Sequence, residues 1–292
     1  MARSRTRRRP GHWESLKEFV GLWTDLFARH NLLNYATAIA FRAFIATVAL
    51  ALLALGVLGE VGRTDVWTNQ IAPVIAPKVL PTVYGGIDET VQKIFDSSSI
   101  PLILFAGVLT IWEVSSVVRA CMGALSRVYE DEDDRPWWIR FPLSIAIAIV
   151  LTASLVGALL LITAARGAVG GAWEVPFTVL RWLLAVVAIA VGFGVLVRYA
   201  PCEPRTKRWV SGGTALVVVA WVVQSLIFAE YLRLANWKSA SGSLLGIYFL
   251  TTFLYVAAIV LLVGIELDEQ LRRDLQGSTR ERGILELVRD VL

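Results

Sequence analysis

PLILFAGVLTIWEVSSVVRACM, residues 101–122, decides the fold. Apart from Thr110, Glu113, Ser115, Ser116 and Arg119, it is built from groups that prefer oil to water. A segment needs ~20 mostly apolar residues to cross the ~30 Å hydrocarbon core of a bilayer. This one is long enough, and it is far too long for a sheet strand. Five more runs of the same kind flank it, at roughly 36–58, 142–164, 176–197, 211–232 and 244–266. In a solvent without water every backbone N–H and C=O must be satisfied inside its own segment, so each run is expected to be a helix. The composition agrees. The chain of 292 residues is 56% hydrophobic and 18% charged, below the ~25% charge of soluble domains, and its mean hydropathy is +0.63. The expected fold is all-α: a polytopic membrane protein of six transmembrane helices with short interfacial amphipathic helices.

Charge placement orients those spans. With the N-terminus inside, the inner segments 1–35, 123–141, 198–210 and 267–292 hold 7, 3, 4 and 5 Lys and Arg. The outer loops 59–100, 165–175 and 233–243 hold 3, 1 and 2. An excess of cations on one side predicts that both termini lie in the cytoplasm. The expected organisation is a basic tail and amphipathic helix over 1–35, a membrane domain over 36–266 and a cytoplasmic tail over 267–292. MARSRTRRRP is not expected to be the n-region of a cleaved signal, because the apolar run begins ~25 residues later and is too long for one. It reads as a basic arm that touches anionic lipid, and nucleic acid is not an expected partner. Both cysteines, Cys121 and Cys202, fall on the cytoplasmic side, so no disulfide framework is expected.

Trp13, Leu16, Val20, Trp23 and Phe27 recur at helical spacing with charges between them, the pattern of a helix lying in the headgroup layer or packed beneath the bundle. In the long outer loop, the prolines of IAPVIAPKVLP interrupt helix. Beyond them Ile87, Val91, Ile94 and Phe95 mark one face of a short helix, with Asp88, Glu89, Lys93 and Asp96 away from it. The acid run Glu130 to Asp134 is expected to be a solvated cytoplasmic turn, with a divalent-metal site as the other reading. It lacks the alternating spacing of a calcium loop, and Trp137 and Trp138 after it are an aromatic anchor. There is no nucleotide-binding loop, no CxxC and no HExxH, and the two histidines, His12 and His30, both precede the first span. No catalytic residue, metal site or cofactor is expected, and no ribonuclease activity.

Several stretches together resemble a known family. They are NYATAIAFRAF (34–44), WEVSSVVRACMGALSRVYEDED (112–133), VRYAPCEPRTKRW (197–209), SGGTALVVVAW (211–221) and SGSLLGIYFLTTFLYVAAIVLLVGIELD (241–268). In order and content the chain is similar to the YihY/BrkB type of bacterial inner-membrane protein, a family once misassigned as a ribonuclease. The resemblance implies six helices in the inner membrane and a role in envelope maintenance or in transport of a lipid or small amphipathic solute. It covers roughly residues 30–270. The chain departs from the family pattern at Phe41-Arg42, where a Tyr-Tyr type pair is usual, and at Glu113, where a small polar residue is usual. The two departures introduce opposite charges.

Those charges are the candidate site. A charge near mid-bilayer costs at least ~2.5–3.5 kcal/mol on insertion scales. Glu113 lies ~13 Å from the inner end of its span and Arg42 ~9 Å from the inner end of the first, at 1.5 Å per residue. They are expected to pair between the two helices, either as a structural tie or as a gate or a site for a lipid headgroup or ion. Arg119, six residues from Glu113, is expected to snorkel to the inner interface. Arg181 with Trp182 is expected to anchor the outer end of the fourth span. Gln224 is expected to make a helix–helix hydrogen bond, and Glu266 to meet Arg198 or Arg272. Gly242, Ser243, Gly246 and Gly264 are expected to allow close helix packing. Membrane lipids are the expected partners, with a homo-oligomer open. The other reading of the whole is a non-transporting scaffold that recruits a partner through its cytoplasmic tails.

Overall fold

The computed structural model describes residue 21 and residues 24–77, 80–96, 100–130, 135–164, 174–201, 212–234 and 240–275. Among these residues the fold is helical throughout, with no strand. Six long helices alternate in direction: α1 (Leu32–Glu60), α3 (Ile100–Val128), α4 (Trp137–Ala164), α5 (Glu174–Tyr199), α6 (Gly212–Leu234) and α7 (Ala240–Leu275), with the shorter α2 (Pro81–Asp96) between the first two. Residues 24–29 form a helical turn ahead of α1. Five of the long helices, α1, α3, α4, α5 and α7, are long and apolar enough to cross a membrane, while α6 carries a shorter apolar stretch, Leu216–Tyr231. Each apolar run falls on one helix, and most helices outrun their runs. α7 in particular continues unbroken nine residues past 266, through a stretch expected to be tail. The amphipathic pattern of residues 13–23, most of the acid run, Cys202 and the end of the C-terminal tail lie outside the described residues.

The ends of α1 are set by backbone chemistry. At its far end the Gly62 N–H bonds the Gly59 carbonyl at 3.0 Å and the Arg63 N–H bonds Leu58 at 2.8 Å. Gly62 sits at φ +70°. This doubled pattern satisfies carbonyls that the helix leaves open, and it needs a left-handed residue that glycine supplies without strain. At the near end the left-handed residue is Asn31, φ 52°, which turns the chain sharply between His30 and α1.

Packing follows the order α5–α4–α3–α1–α7–α6. α1 lies against α3 and α7, α4 against α3 and α5, and α6 against α7. The largest core gathers at one end of the bundle, where His30 lies. There Leu32, Ala36 and Ile39 of α1 meet Val118, Met122 and Leu125 of α3, Leu196 of α5, Val217 of α6 and Leu261 and Leu262 of α7. α5 and α6, which each pack on one neighbour elsewhere, thus join a shared core at this end. The helices also carry exposed apolar side chains, such as Phe41, Val108, Val186 and Ile227.

The opposite end is capped by the long loop. Trp67 is buried with Leu58, Val66, Ala72, Val91 and Phe95. Val91 and Phe95 therefore form the inward face of α2, whereas Ile87 is partly exposed (38%). Asp88, expected to face away, instead accepts a 2.7 Å hydrogen bond from the Trp67 indole. A buried indole N–H needs an acceptor, and Asp88 is the polar group within reach.

Candidate functional site: a polar constellation between α1, α3 and α4

The structure does not pair Arg42 with Glu113. Arg42 does reach α3, but its Nη1 donates to the main-chain carbonyl of Ser116 at 2.9 Å, one turn nearer the His30 end. A helical carbonyl already bonded within its helix keeps a second lone pair for such a donor. Glu113 is half-buried and, among the described residues, has no hydrogen-bond or ion-pair partner. Position along each helix follows from counting residues, but how far around the axis a long side chain will swing does not.

Arg119 is the better-built group, and it does not run to the helix end. Its Nη1 donates to Ser115 Oγ at 2.7 Å and to Ser144 Oγ of α4 at 3.1 Å. The guanidinium also lies 5.1 Å from the centre of the Phe141 ring, a cation–π distance. Ser115 is one helical turn before Arg119, so the two share a face. Ser115 and Ser144 are both fully buried. Arg42, Arg140 and Glu113 all lie within electrostatic range of Arg119. Among the described residues, arginines from α1 and α4 and the Glu113 carboxylate thus act on Arg119 through their charge. Gly123 lies at the same junction: a Cβ added there would stand 3.3 Å from the Tyr35 ring and 3.7 Å from Arg140 Nη2. Arg140 was not singled out from the sequence. Its place three residues after the start of a helix that follows the Trp pair was the available signal.

A second polar cluster closes the His30 end, and there the sequence reading missed the key residue. Glu266 is fully buried. It meets neither Arg198 nor Arg272: its Oε2 lies 2.9 Å from His30 Nδ1 and its Oε1 accepts from Gln270 Nε2 at 2.9 Å. Glu269, also buried, takes Arg272 through Nε at 2.9 Å and Arg273 through Nε at 3.0 Å. Glu130 adopts a left-handed conformation, φ 53°, uncommon for a residue with a side chain. There its carboxylate lies 3.6 Å from His30 Nε2 and 3.4 Å from Arg273 Nη1. Burial pushes the Glu130 carboxyl up, but hydrogen bonds and charge from Arg273 and His30 outweigh it and hold the group below the ordinary carboxylate value. The cluster ties the turn before α1, the end of α3 and the end of α7 to one another. Its signal in the sequence was a Glu-x-x-Glu-Gln run closing an apolar helix, which needs partners from elsewhere.

The remaining candidates lie apart. Gln224 Nε2 donates to the Phe253 carbonyl at 2.6 Å and Trp221 Nε1 to Ala257 at 3.0 Å, both from α6 to α7. Gly264 packs directly on Gly213 and Val217, and the Gly213 N–H donates to Asp268 Oδ1 at 2.7 Å. Gly242, Ser243 and Gly246 lie in the first two turns of α7. Arg181 is buried in α5 (7% exposed), with Nε unpaired, while Trp182 is exposed. Among the described residues no group of three or more His, Cys, Asp and Glu is placed to hold a metal ion.

Comparison with known proteins adds lineage. A curated relative is the putative ribonuclease-like protein YfkH of Bacillus subtilis (strain 168), 23% identical over 216 residues, covering 70% of this chain and 78% of that protein. No solved structure matches the chain. The model of the virulence factor BrkB family matches residues 24–283. The chain, with its apolar helices and the order of motifs along them, belongs to the virulence factor BrkB family.

Proposed function

We propose that this protein spans the bacterial cytoplasmic (inner) membrane six times, with α6 as the sixth span and both termini in the cytoplasm. We propose further that it moves a lipid or small amphipathic solute across or within that membrane as part of envelope maintenance. The orientation is supported by the excess of Lys and Arg in the segments at the His30 end. It puts the basic N-terminal arm against anionic lipid.

The observation that carries the transport reading is the constellation around Arg119. Ionisable groups inside apolar helices are expensive and tend to mark pathways. A purely structural role calls for closely paired charge, whereas among the described residues Glu113 makes no hydrogen bond or ion pair, though it lies in the field of Arg119, and Arg119 is oriented by two buried serine hydroxyls on two helices. Second-group hydrogen bonds of that kind hold a side chain in one pose, as binding sites require.

The test is reconstitution of the full chain into liposomes, with assays for scrambling of a fluorescent-headgroup lipid and for efflux of a small amphipathic dye. Activity above protein-free vesicles is expected for one of them. It should fall by about tenfold or more in Arg119→Gln, the range of a lost charge-assisted hydrogen bond, with the thermal unfolding midpoint retained. No activity above protein-free vesicles in either assay refutes the reading for those substrates.

A further inference from the structure

We propose that Glu266 is a proton-binding site, loaded and emptied through His30 and Glu130 at the end of the bundle where the three meet. The inference goes beyond the transport reading and stands without it.

Two buried carboxylates lie one turn apart on α7 and are matched to different partners. Glu269 takes both neighbouring arginines, Arg272 and Arg273. Glu266 has no exposed surface, and it takes neither. Its partners among the described residues are the His30 imidazole and the Gln270 amide, each at 2.9 Å. Arginine stays charged, so Glu269 is in a permanent pair. Histidine is the side chain that gains and loses a proton between about pH 5 and 8. A buried carboxylate set against the partner that titrates suits a charge that comes and goes.

The ring stands between a dry carboxylate and a wet one. An ionised carboxylate can only accept a hydrogen bond. Facing Glu266 Oε2, Nδ1 therefore carries the hydrogen of the neutral ring, and Nε2 carries a lone pair. Nε2 is enclosed by protein and makes no hydrogen bond. A buried nitrogen left unmet is costly, and its lone pair is what an incoming proton needs. The group nearest to it is Glu130, whose Oε1 lies 3.6 Å away and whose side chain is 51% exposed. Glu130 reaches that place from a left-handed backbone, φ 53°, a conformation that glycine or asparagine usually supplies at a helix end. Strain of this kind gathers at functional positions.

The transfer balances. A proton from water lands on Glu130. Its O–H bond breaks as the Nε2 lone pair takes the proton, which makes the ring an imidazolium. The Nδ1–H bond then breaks as an O–H bond forms on Glu266 Oε2. Glu130 ends ionised, the ring ends neutral with its hydrogen on Nε2, and Glu266 ends as a neutral acid. Release runs the same steps backward. The 3.6 Å gap is longer than a hydrogen bond, and Glu130, half in water, closes it by shifting about half an ångström.

The surrounding charges fit these roles. Arg273 stands 3.4 Å from Glu130 and, with His30, favours its ionised form, so Glu130 passes protons on rather than storing them. Tyr129, at the end of α3, lies within electrostatic range of Arg272. Asp268 turns away to the Gly213 N–H of α6. Asp25 and Arg29, on the turn before α1, are exposed, and Arg198 lies in the last turn of α5.

The test follows the carboxyl itself. The full chain in liposomes, at about pH 8, receives a light-released caged proton, and its infrared absorption is followed in time. The C=O band of a buried protonated carboxyl lies apart from those of hydrated ones. That band is expected to rise in the wild type and in Glu89→Gln, which alters an exposed carboxylate on α2, and to be missing in Glu266→Gln. His30→Asn keeps a donor to Glu266 but has no second nitrogen to take a proton. In it and in Glu130→Gln the rise should slow by about a hundredfold or more, the range of a positioned proton carrier. Glu130 is half exposed, so its variant keeps the test open if His30→Asn fails to fold. No such band in the wild type, or a band that survives in Glu266→Gln, overturns the site. An unchanged rate in either of the other two variants overturns the relay. Lipid and solute movement play no part in the readout, so the relay and the transport reading fail separately.

Discussion

The His30–Glu266 contact supplies the sharpest test of how the bundle is held together. His30→Ala removes the Nδ1 donor 2.9 Å from Glu266, where the two side chains are 5% and 0% exposed. The carboxylate left behind keeps Gln270 Nε2 as donor but loses its strongest partner away from water. Breaking a buried pair by deleting one member costs about 3–5 kcal/mol, and the surviving Gln270 bond puts the expected value at about 3 kcal/mol. For a chain of this size, ~2–4 °C per kcal/mol makes that a fall of about 6–12 °C in unfolding midpoint. The assay is thermal unfolding in detergent, read by fluorescence-detected size exclusion. His30→Asn, whose amide N–H falls near the Nδ1 position, should recover most of the loss. Glu266→Gln in the His30→Ala background should recover part of it by removing the stranded charge. A drop smaller than about 2 °C for His30→Ala, or equal drops for the Ala and Asn variants, would refute the argument that a buried donor to Glu266 is what matters.

Three further outcomes are expected. Gly264→Ala places a methyl against Val217 and 2.9 Å from the Gly213 carbonyl oxygen. Overpacking of that kind should cost about 1–3 kcal/mol, seen as a lower unfolding midpoint, and an unchanged midpoint would mean that α6 and α7 do not meet there. Gln224→Leu removes a hydrogen bond to the Phe253 carbonyl, and such bonds between membrane helices are worth about 0.6 kcal/mol, so a shift beyond about 3 °C would point to a larger role than a tie. Glu130 titrates below its ordinary value of 4.5 when folded, so its contribution is complete above that value and is lost as the pH falls through the folded value. Unfolding midpoints measured from pH 7 down to about 3.5 should therefore fall less steeply for Glu130→Gln than for the wild type, and parallel curves would contradict the assignment.

What could be read from the sequence followed from how strict the physics was. A bilayer demands continuous apolar length, so each apolar run found its helix. Position along each helix was also legible, since it needs only residue counting. Azimuth was not. Arg42 was expected to pair with Glu113 but bonds the Ser116 carbonyl. Arg119 turns across to Ser144 instead of running to the helix end. Long flexible side chains choose among several acceptors at one height, and only packing decides which. His30 carried no motif, and its partner Glu266 lies 236 residues away, a separation over which local pattern says nothing. Trp67 was invisible for a related reason: a single indole in an irregular loop has no periodicity, and its place was set by Asp88.

That separation of 236 residues also has a consequence for biosynthesis. α1 is made first and α7 last, yet the two lie side by side. At ~5–20 residues per second, the ribosome takes about 10–50 s to reach Glu266 after His30 has emerged. For all that time α1 sits in the membrane with its α7-facing side uncovered and His30 without its acceptor. The middle helices can pair as they arrive, but the closing step must wait for the last turns of α7. A chain broken off before those turns would hold most of the bundle's apolar length and lack the buried Glu266 that meets His30.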